Sequence, residues 1–136
     1  MSHKKDFDGW NIEKKHLNAL VPKHFLYIHE REVWWTAIGI NVGTEMDGKN
    51  QKLERPVLIV RKLGKEQFLG IPLTSQAKEG VFYIPIHYNE RTGTACISQV
   101  RVLSINRLLR KIGRIGTGDF KLVTSQLAKL VETGKL

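Results

Sequence analysis

The chain has 136 residues, 41% of them hydrophobic, which suffices for one sizeable core and not for two. No apolar run nears the roughly 20 residues that cross a bilayer, and Met1-Ser2-His3-Lys4-Lys5-Asp6 lacks a signal peptide's apolar stretch, so the expected location is the cytoplasm. A formal net charge of +9 calls for a polyanionic partner, nucleic acid or an acidic protein segment.

Residues 1–30 hold five Lys/Arg and four Asp/Glu, so eight of the nine excess charges fall in residues 31–136. The expected division is an N-terminal extension over 1–30 and a globular domain over 31–136. Within the extension, Asn11 to Leu20 allow a short helix capped by Asn11 and stopped by Pro22, with Trp10 and Leu17 docking it. Glu32 to Ile40 reads as a first strand, and its adjacent Trp34 and Trp35 must face opposite sides. A long polar loop follows, through Glu45, Gly48, Lys49 and Asn50 to Arg55; loops longer than about 12 residues are usually functional or disordered.

Pro56 to Lys62 and Gln67 to Leu73 read as an antiparallel hairpin turning at Leu63-Gly64-Lys65. Val81 to Tyr88 gives another strand, which Pro85 confines to a sheet edge or a bulge. Asn89 to Gly93 form a turn into a fifth strand, Thr94 to Arg101, after which Ser104 caps a short helix through Arg110. A last helix runs from near Asp119 to just before Gly134, with a stripe of Phe120, Val123, Leu127, Leu130 and Val131. Five short strands with mostly terminal helices fit a mainly β class, a small, strongly bent antiparallel barrel.

The lone Cys96, between Ala95 and Ile97, allows no internal disulfide or cysteine zinc cage and reads as a small buried hydrophobe. His3, His16, His24 and His29 lack ligand spacing, so no metal site is expected. The informative pair is Arg55, opening one strand of the hairpin, and Thr74 with Ser75, closing the other. Adjacent strands would deliver one guanidinium and two hydroxyls to a shared rim, a set suited to gripping a phosphodiester. Each also has a plainer reading: Arg55 as a rim arginine before a proline, Thr74 and Ser75 as turn anchors. Arg101, Arg107, Arg110, Lys111 and Arg114 form the densest basic run, either a solvated face or a phosphate-binding stripe.

Five blocks in order resemble the PemK/MazF family. They are Arg31-Glu32-Val33-Trp34-Trp35; Gly43-Thr44-Glu45 with Gly48; Arg55-Pro56-Val57-Leu58-Ile59-Val60; Pro72-Leu73-Thr74-Ser75; and Ser98-Gln99-Val100-Arg101 through Arg107-Leu108. The likeness covers residues 31 to about 131. It implies an SH3-like barrel of the MazF/CcdB type and the toxin of a toxin–antitoxin pair. It also implies a metal-independent, sequence-selective endoribonuclease without a cofactor, a homodimer, and neutralisation by an acidic antitoxin segment. It favours Arg55 and Thr74 as catalytic partners and sets Gln99 and Arg101 near the active rim. The loop before Arg55 is longer than in the family's best-studied members, and residues 1–30 are additional.

RNA carries its own nucleophile, the 2′-hydroxyl, so the enzyme must align it, stabilise the phosphorane and handle two protons. Arg55 supplies the charge, with Thr74, and Ser75 beside it, positioning through their hydroxyls. Glu45 and His87 are the candidate proton carriers; each has a structural alternative, an ion pair for Glu45 and a packed strand residue for His87. Gln99 can read a base edge, Arg101 and Lys49 can hold phosphate, and Trp35 can stack a base, all of which suits single-stranded RNA. Two alternatives share the fold: a CcdB-like gyrase-binding toxin, and an inactive RNA-binding or regulatory module.

Overall fold

The computed structural model describes residues 4–21 and 27–136. Two α-helices and seven strands alternate with two short 3₁₀ turns: α1 (Phe7–Asn18), β1 (Glu32–Ala37), β2 (Glu54–Lys62), β3 (Gln67–Thr74), β4 (Tyr83–Tyr88), β5 (Arg91–Cys96), β6 (Arg101–Ser104), β7 (Leu108–Arg114) and α2 (Thr117–Thr133). The strands form one antiparallel sheet in the order β4-β5-β3-β2-β1-β7, with β6 also on β3. Among the described residues the ladder does not close. Its ends meet instead through a side chain, Asn89 Nδ2 donating to the Ile112 carbonyl.

The apolar run Val57-Leu58-Ile59-Val60 fails to alternate because β2 is covered on both faces. Leu58 and Val60 join the larger core with Val33, Ile71, Leu73, Ile86 and Val123, while Val57 and Ile59 join Trp34, Phe68, Leu103 and Leu108 on the other side. A short turn sets the register of β2 on β3, and a second hairpin joins β4 to β5. Asn89 and Glu90, with φ of +45° and +59°, make a two-residue turn between β4 and β5, the geometry that matches strand twist. Pro85 sits on β4, an edge of the sheet path, as its missing N–H requires.

Several boundaries differ from the sequence reading. α1 starts four residues earlier than expected, because the carboxylate of Asp6 accepts from Gly9 N at 2.9 Å and is the actual N-cap; Pro22 lies outside the described residues. The expected fifth strand breaks at Ile97–Gln99, so that β5 pairs with the end of β3 and β6 with its beginning. Ser104 does cap a turn, accepting from Asn106 N, but that turn is a single one over Ile105–Arg107. Leu108 to Arg114 then continues as strand β7 along the open edge of β1, since sheet pairing there satisfies backbone groups that an exposed edge would leave bare. Among the described residues the count is therefore seven strands and not five. α2 ends at Gly134, whose φ of +68° suits a left-handed cap; Phe120, Leu127 and Leu130 pack on the core, whereas Val131 is 77% exposed.

α1 is docked by a third cluster, Trp10 and Leu17 against Ala37 and Ile40. Gly39 permits this at φ +79°, because a Cβ there would lie 2.0 Å from Trp10. Arg107 covers the Trp10 ring at 5.6 Å and donates to the Ala37 carbonyl at 3.2 Å. Burial, with nearby Arg101, pushes the Arg107 pKa down to about 10.

Candidate active site

The hairpin register explains why Arg55 and Thr74 meet. Val57 pairs with Pro72 and Leu58 with Ile71; extending that register by two places sets Arg55 across from Thr74. Both line one cavity of about 230 Å³, together with Lys49, Lys78, Tyr83 and Ser98. Arg55 is half-buried and aimed by two backbone carbonyls: Nε donates to Asp47 O at 2.8 Å and Nη1 to Leu73 O at 3.3 Å. Burial lowers its pKa, opposed by Cys96 and Asp47. A guanidinium has five N–H donors, so the fork retains donors for a ligand.

Thr74 is 6% exposed, and its hydroxyl accepts from Gln76 N at 3.3 Å. That contact fixes the oxygen and leaves the hydroxyl proton to be donated. Thr94, paired with Thr74 across β5, donates to Gln76 O at 3.0 Å and holds the same turn from behind. Ser75, just beyond β3, is exposed and lines a second cavity of about 410 Å³, which Arg55 and Lys49 also border. Trp35, Tyr88 and Arg91 share that second cavity. Arg110 lies over the Trp35 ring at 5.1 Å and grips Glu54 with two bonds of 3.1 Å, so one face of Trp35 is already occupied.

Arg55 and Lys49 also line a third cavity, of about 630 Å³, bordered by Lys4, Asp6 and Asp47. Three hollows thus converge on one arginine and one exposed lysine. A fourth, of about 420 Å³, holds Glu45, Gln99 and Arg101 beside Met46, and Gln99 also lines the Arg55–Thr74 cleft. Glu45 is exposed there and accepts from Val42 N at 2.9 Å, which closes a turn of the β1–β2 loop. Gln99 reaches from the β5–β6 break to the same loop, accepting from Met46 N at 3.1 Å and donating to Thr44 O at 3.2 Å. Arg101 meets Asn41 Oδ1 at 3.5 Å. These three side chains surround the loop next to the Arg55 cleft.

His87 is not brought to the cleft. It lies on β4 four residues beyond Tyr83, about 13 Å along an extended strand, and its ring Nδ1 and backbone N both meet Asp119 Oδ2, at 3.2 and 3.0 Å. Cys96 lines the cleft but is buried, and burial raises its thiol pKa despite Arg55 and Lys78; a neutral thiol is a poor nucleophile. Sequence reasoning missed Lys78 and Tyr83, which stand 5.7 Å apart, ammonium to ring centre. The available signal was position, since the segment immediately after a rim residue such as Thr74 borders the same cleft.

A family model of the PemK-like, MazF-like toxins of type II toxin–antitoxin systems matches residues 29–131. The chain belongs to this family. Among solved structures, MazF of Deinococcus radiodurans superposes with a TM-score of 0.65 at 19% identity, covering 76% of this chain and 96% of that one. An endoribonuclease from a mycobacterial species, in complex with its cognate antitoxin, gives 0.61 at 14% identity over 78% and 96%. The Mycobacterium tuberculosis toxin MazF-mt6 gives 0.57 at 12% over 75% and 97%. At these identities the superpositions establish the PemK/MazF fold of the chain, the bent antiparallel sheet expected from the family blocks. No curated protein matches the sequence. No helix among the described residues is long and apolar enough to cross a membrane.

Proposed function

We propose that this PemK/MazF family member is a toxin that cleaves single-stranded RNA at the Arg55–Thr74 cleft. The observation that carries the reading is the convergence of Arg55 and Thr74 on one cavity that also holds Lys49 and Lys78. In the reaction the ribose 2′-oxygen bonds to the adjacent phosphorus and loses its proton to solvent. The bond from phosphorus to the 5′-oxygen breaks, and that oxygen takes up a proton. The products are a 2′,3′-cyclic phosphate and a 5′-hydroxyl.

Arg55 meets the negative charge that builds on the phosphoryl oxygens, and Thr74 donates a hydrogen bond to the same group. Because the nucleophile comes with the substrate, the chemistry requires no bound metal. Proton transfer is assigned to no side chain of the cleft: Glu45 is engaged by the Val42 amide on the neighbouring cavity, and His87 by Asp119. Lys49 and Lys78 hold flanking phosphates, and the hollows meeting at Arg55 give the strand a path across the rim. Duplex RNA hides the base edges and backbone bends that such a path needs.

Within this reading residues 31–136 form the toxin domain of a homodimer and residues 1–30 an added segment. The protein acts in the cytoplasm, and the partner is an acidic, partly disordered antitoxin segment that folds on docking, favoured by the net charge of +9. One of the structural relatives is itself bound to its cognate antitoxin. The test is end-group mapping of short single-stranded RNAs incubated in excess EDTA with wild type and Arg55→Ala. Cyclic phosphate ends from the wild type alone support the proposal. Intact RNA across a broad panel overturns it; gyrase capture would then favour a CcdB-like binder, and salt-sensitive RNA binding without cutting an inactive module.

A further inference from the structure

The family match begins at residue 29, so the segment that carries α1 lies before it. That segment nevertheless reaches the loop that aims Arg55. Lys5 Nζ donates to the carbonyl of Asn41 and to that of Gly43, the latter at 3.0 Å, and lies 3.3 Å from Asp47 Oδ2. An ammonium has three donors, and here they meet three points of one loop. The Lys5 and Asp47 side chains are each 20% exposed, so solvent screens the pair only in part.

Asp47 passes the restraint inward. Its Oδ1 accepts from Asn41 N at 2.6 Å, which closes the loop on itself, and its backbone oxygen accepts from Arg55 Nε at 2.8 Å. Lys5 is in turn held where it is by the helix that follows. Trp10 is sandwiched between Gly39 and Arg107, and Asn106 Nδ2 donates to Leu17 O at 3.1 Å and Leu20 O at 3.0 Å at the far end. On the opposite flank of the loop, Gln99 bonds Thr44 and Met46. Backbone bonds close the base of the loop, Lys49 with Glu54 and Gly48 N to Gly39 O at 2.7 Å, and the side-chain ties hold the Asn41–Asp47 stretch above it.

We propose that Lys5 is a positioning residue for Arg55, acting through Asp47, which makes the N-terminal segment part of the working toxin; the catalytic consequence rests on the phosphodiester-cleaving reading above. Arg55 Nε–H points at a backbone oxygen whose place depends on Lys5. When the tie is removed, Asp47 shifts and the guanidinium plane turns away from the geometry that Thr74 shares.

The test compares full-length Lys5→Met and Lys5→Arg with wild type. Displacements of about 1 Å near a reacting group can cost on the order of 10²-fold, and with Gln99 still in place about tenfold in kcat is expected for Lys5→Met, with KM within about twofold. Lys5→Arg keeps the charge and restores most of the rate. A readout independent of RNA is the solvent exchange of the Arg55 Nε–H, followed by nitrogen-15 NMR. It accelerates in Lys5→Met while the Leu58 and Ile71 amides keep their protection.

An unchanged kcat, unchanged Nε–H exchange, or a rate loss accompanied by loss of Leu58 protection overturns the proposal. If the wild type cuts no RNA but Lys5→Met still accelerates Nε–H exchange, the ribonuclease reading fails and the brace stands.

Discussion

Neighbouring strands β1 and β2 each draw a charged side chain into the sheet and use it in opposite ways. Glu32, 3% exposed, has both carboxylate oxygens taken: Trp34 Nε1 and His29 N each donate to one at 3.0 Å, and Lys111 Nζ lies 2.9 Å from the other. Burial raises its pKa, but the hydrogen bonds from Lys111, Trp34 and His29 outweigh it and leave the group below its ordinary value. Arg55 is held by two neutral carbonyls, and among the described residues it forms no ion pair. Asp47, the acid beside it, is bonded to Lys5 instead. A buried charge met by opposite charge becomes a fixture of the fold. A charge held only by dipoles keeps its net field for an incoming anion.

The sharpest way to break this contrast is to remove each charge and read both stability and rate. Arg55→Ala is expected to cost about 2.7 to 4 kcal/mol of transition-state stabilisation, hence about 10²- to 10³-fold in kcat, with Tm near that of wild type. A large fall in Tm with little change in kcat per folded molecule would erase the distinction. Glu32→Gln reverses the pattern. It weakens the bonds to Trp34, His29 and Lys111 and should lower stability by about 1 to 3 kcal/mol in urea unfolding, with cleavage per folded molecule unchanged. Lys111 is half exposed and can turn to water, which keeps the loss below that of a fully buried broken pair.

The same group predicts a pH dependence. The folded pKa of Glu32 lies below the ordinary carboxylate value, so the unfolded chain binds its proton more readily. Its stabilisation is fully present above the unfolded pKa and is lost as pH falls through the folded one. Urea midpoints should therefore hold from neutral pH down to about 5 and drop below about 4, where carboxylates titrate, and Glu32→Gln should flatten part of that drop. A smaller effect sharpens the cleft side: Thr74→Ala removes one hydroxyl hydrogen bond to a charged phosphoryl group, about 1.5 to 3 kcal/mol, so kcat falls by about 10- to 10²-fold. Thr74→Ser keeps the hydroxyl and should recover most of the rate; equal losses in both would mean that the methyl group, not the oxygen, matters.

What was legible follows from what side chains announce. The short glycine turn and the apolar run beside it specify the β2–β3 hairpin, and the hairpin alone sets Arg55 near Thr74. Trp10 and Leu17 stand out as the apolar residues of a polar helix and do dock it. Residues 105–110 mislead, because after a capping serine they read as a short helix, whereas the edge of β1 recruits Leu108 to Arg114 as a strand. Tertiary pairing outweighs local preference there. Lys78 lies in the β3–β4 loop and Tyr83 at the start of β4, neither in a motif, and Asp47 contributes through its backbone carbonyl, which residue type does not reveal. Gln99 shows a further limit: its amide is as able to bond loop backbone as a base, and the structure uses it on Met46 and Thr44.

The smallest expected effect concerns His87, since histidine is by type the obvious proton carrier. Position argues otherwise. Ile84, Ile86 and Tyr88 point into the core, leaving His87 on the outer face with Tyr83 and Pro85. Tyr83 reaches the cleft at the start of the strand, and His87 at its end meets Asp119 in the first turn of α2. A proton would have to travel the length of β4 to reach the phosphate. His87→Ala should therefore leave kcat within about twofold of wild type across the range where a free imidazole titrates. It should also cost no more than the few tenths to about 1 kcal/mol of an exposed pair. A changed pH–rate profile in this variant would bring His87 back into the chemistry, and with it a requirement that β4 carry the histidine to the Arg55 side.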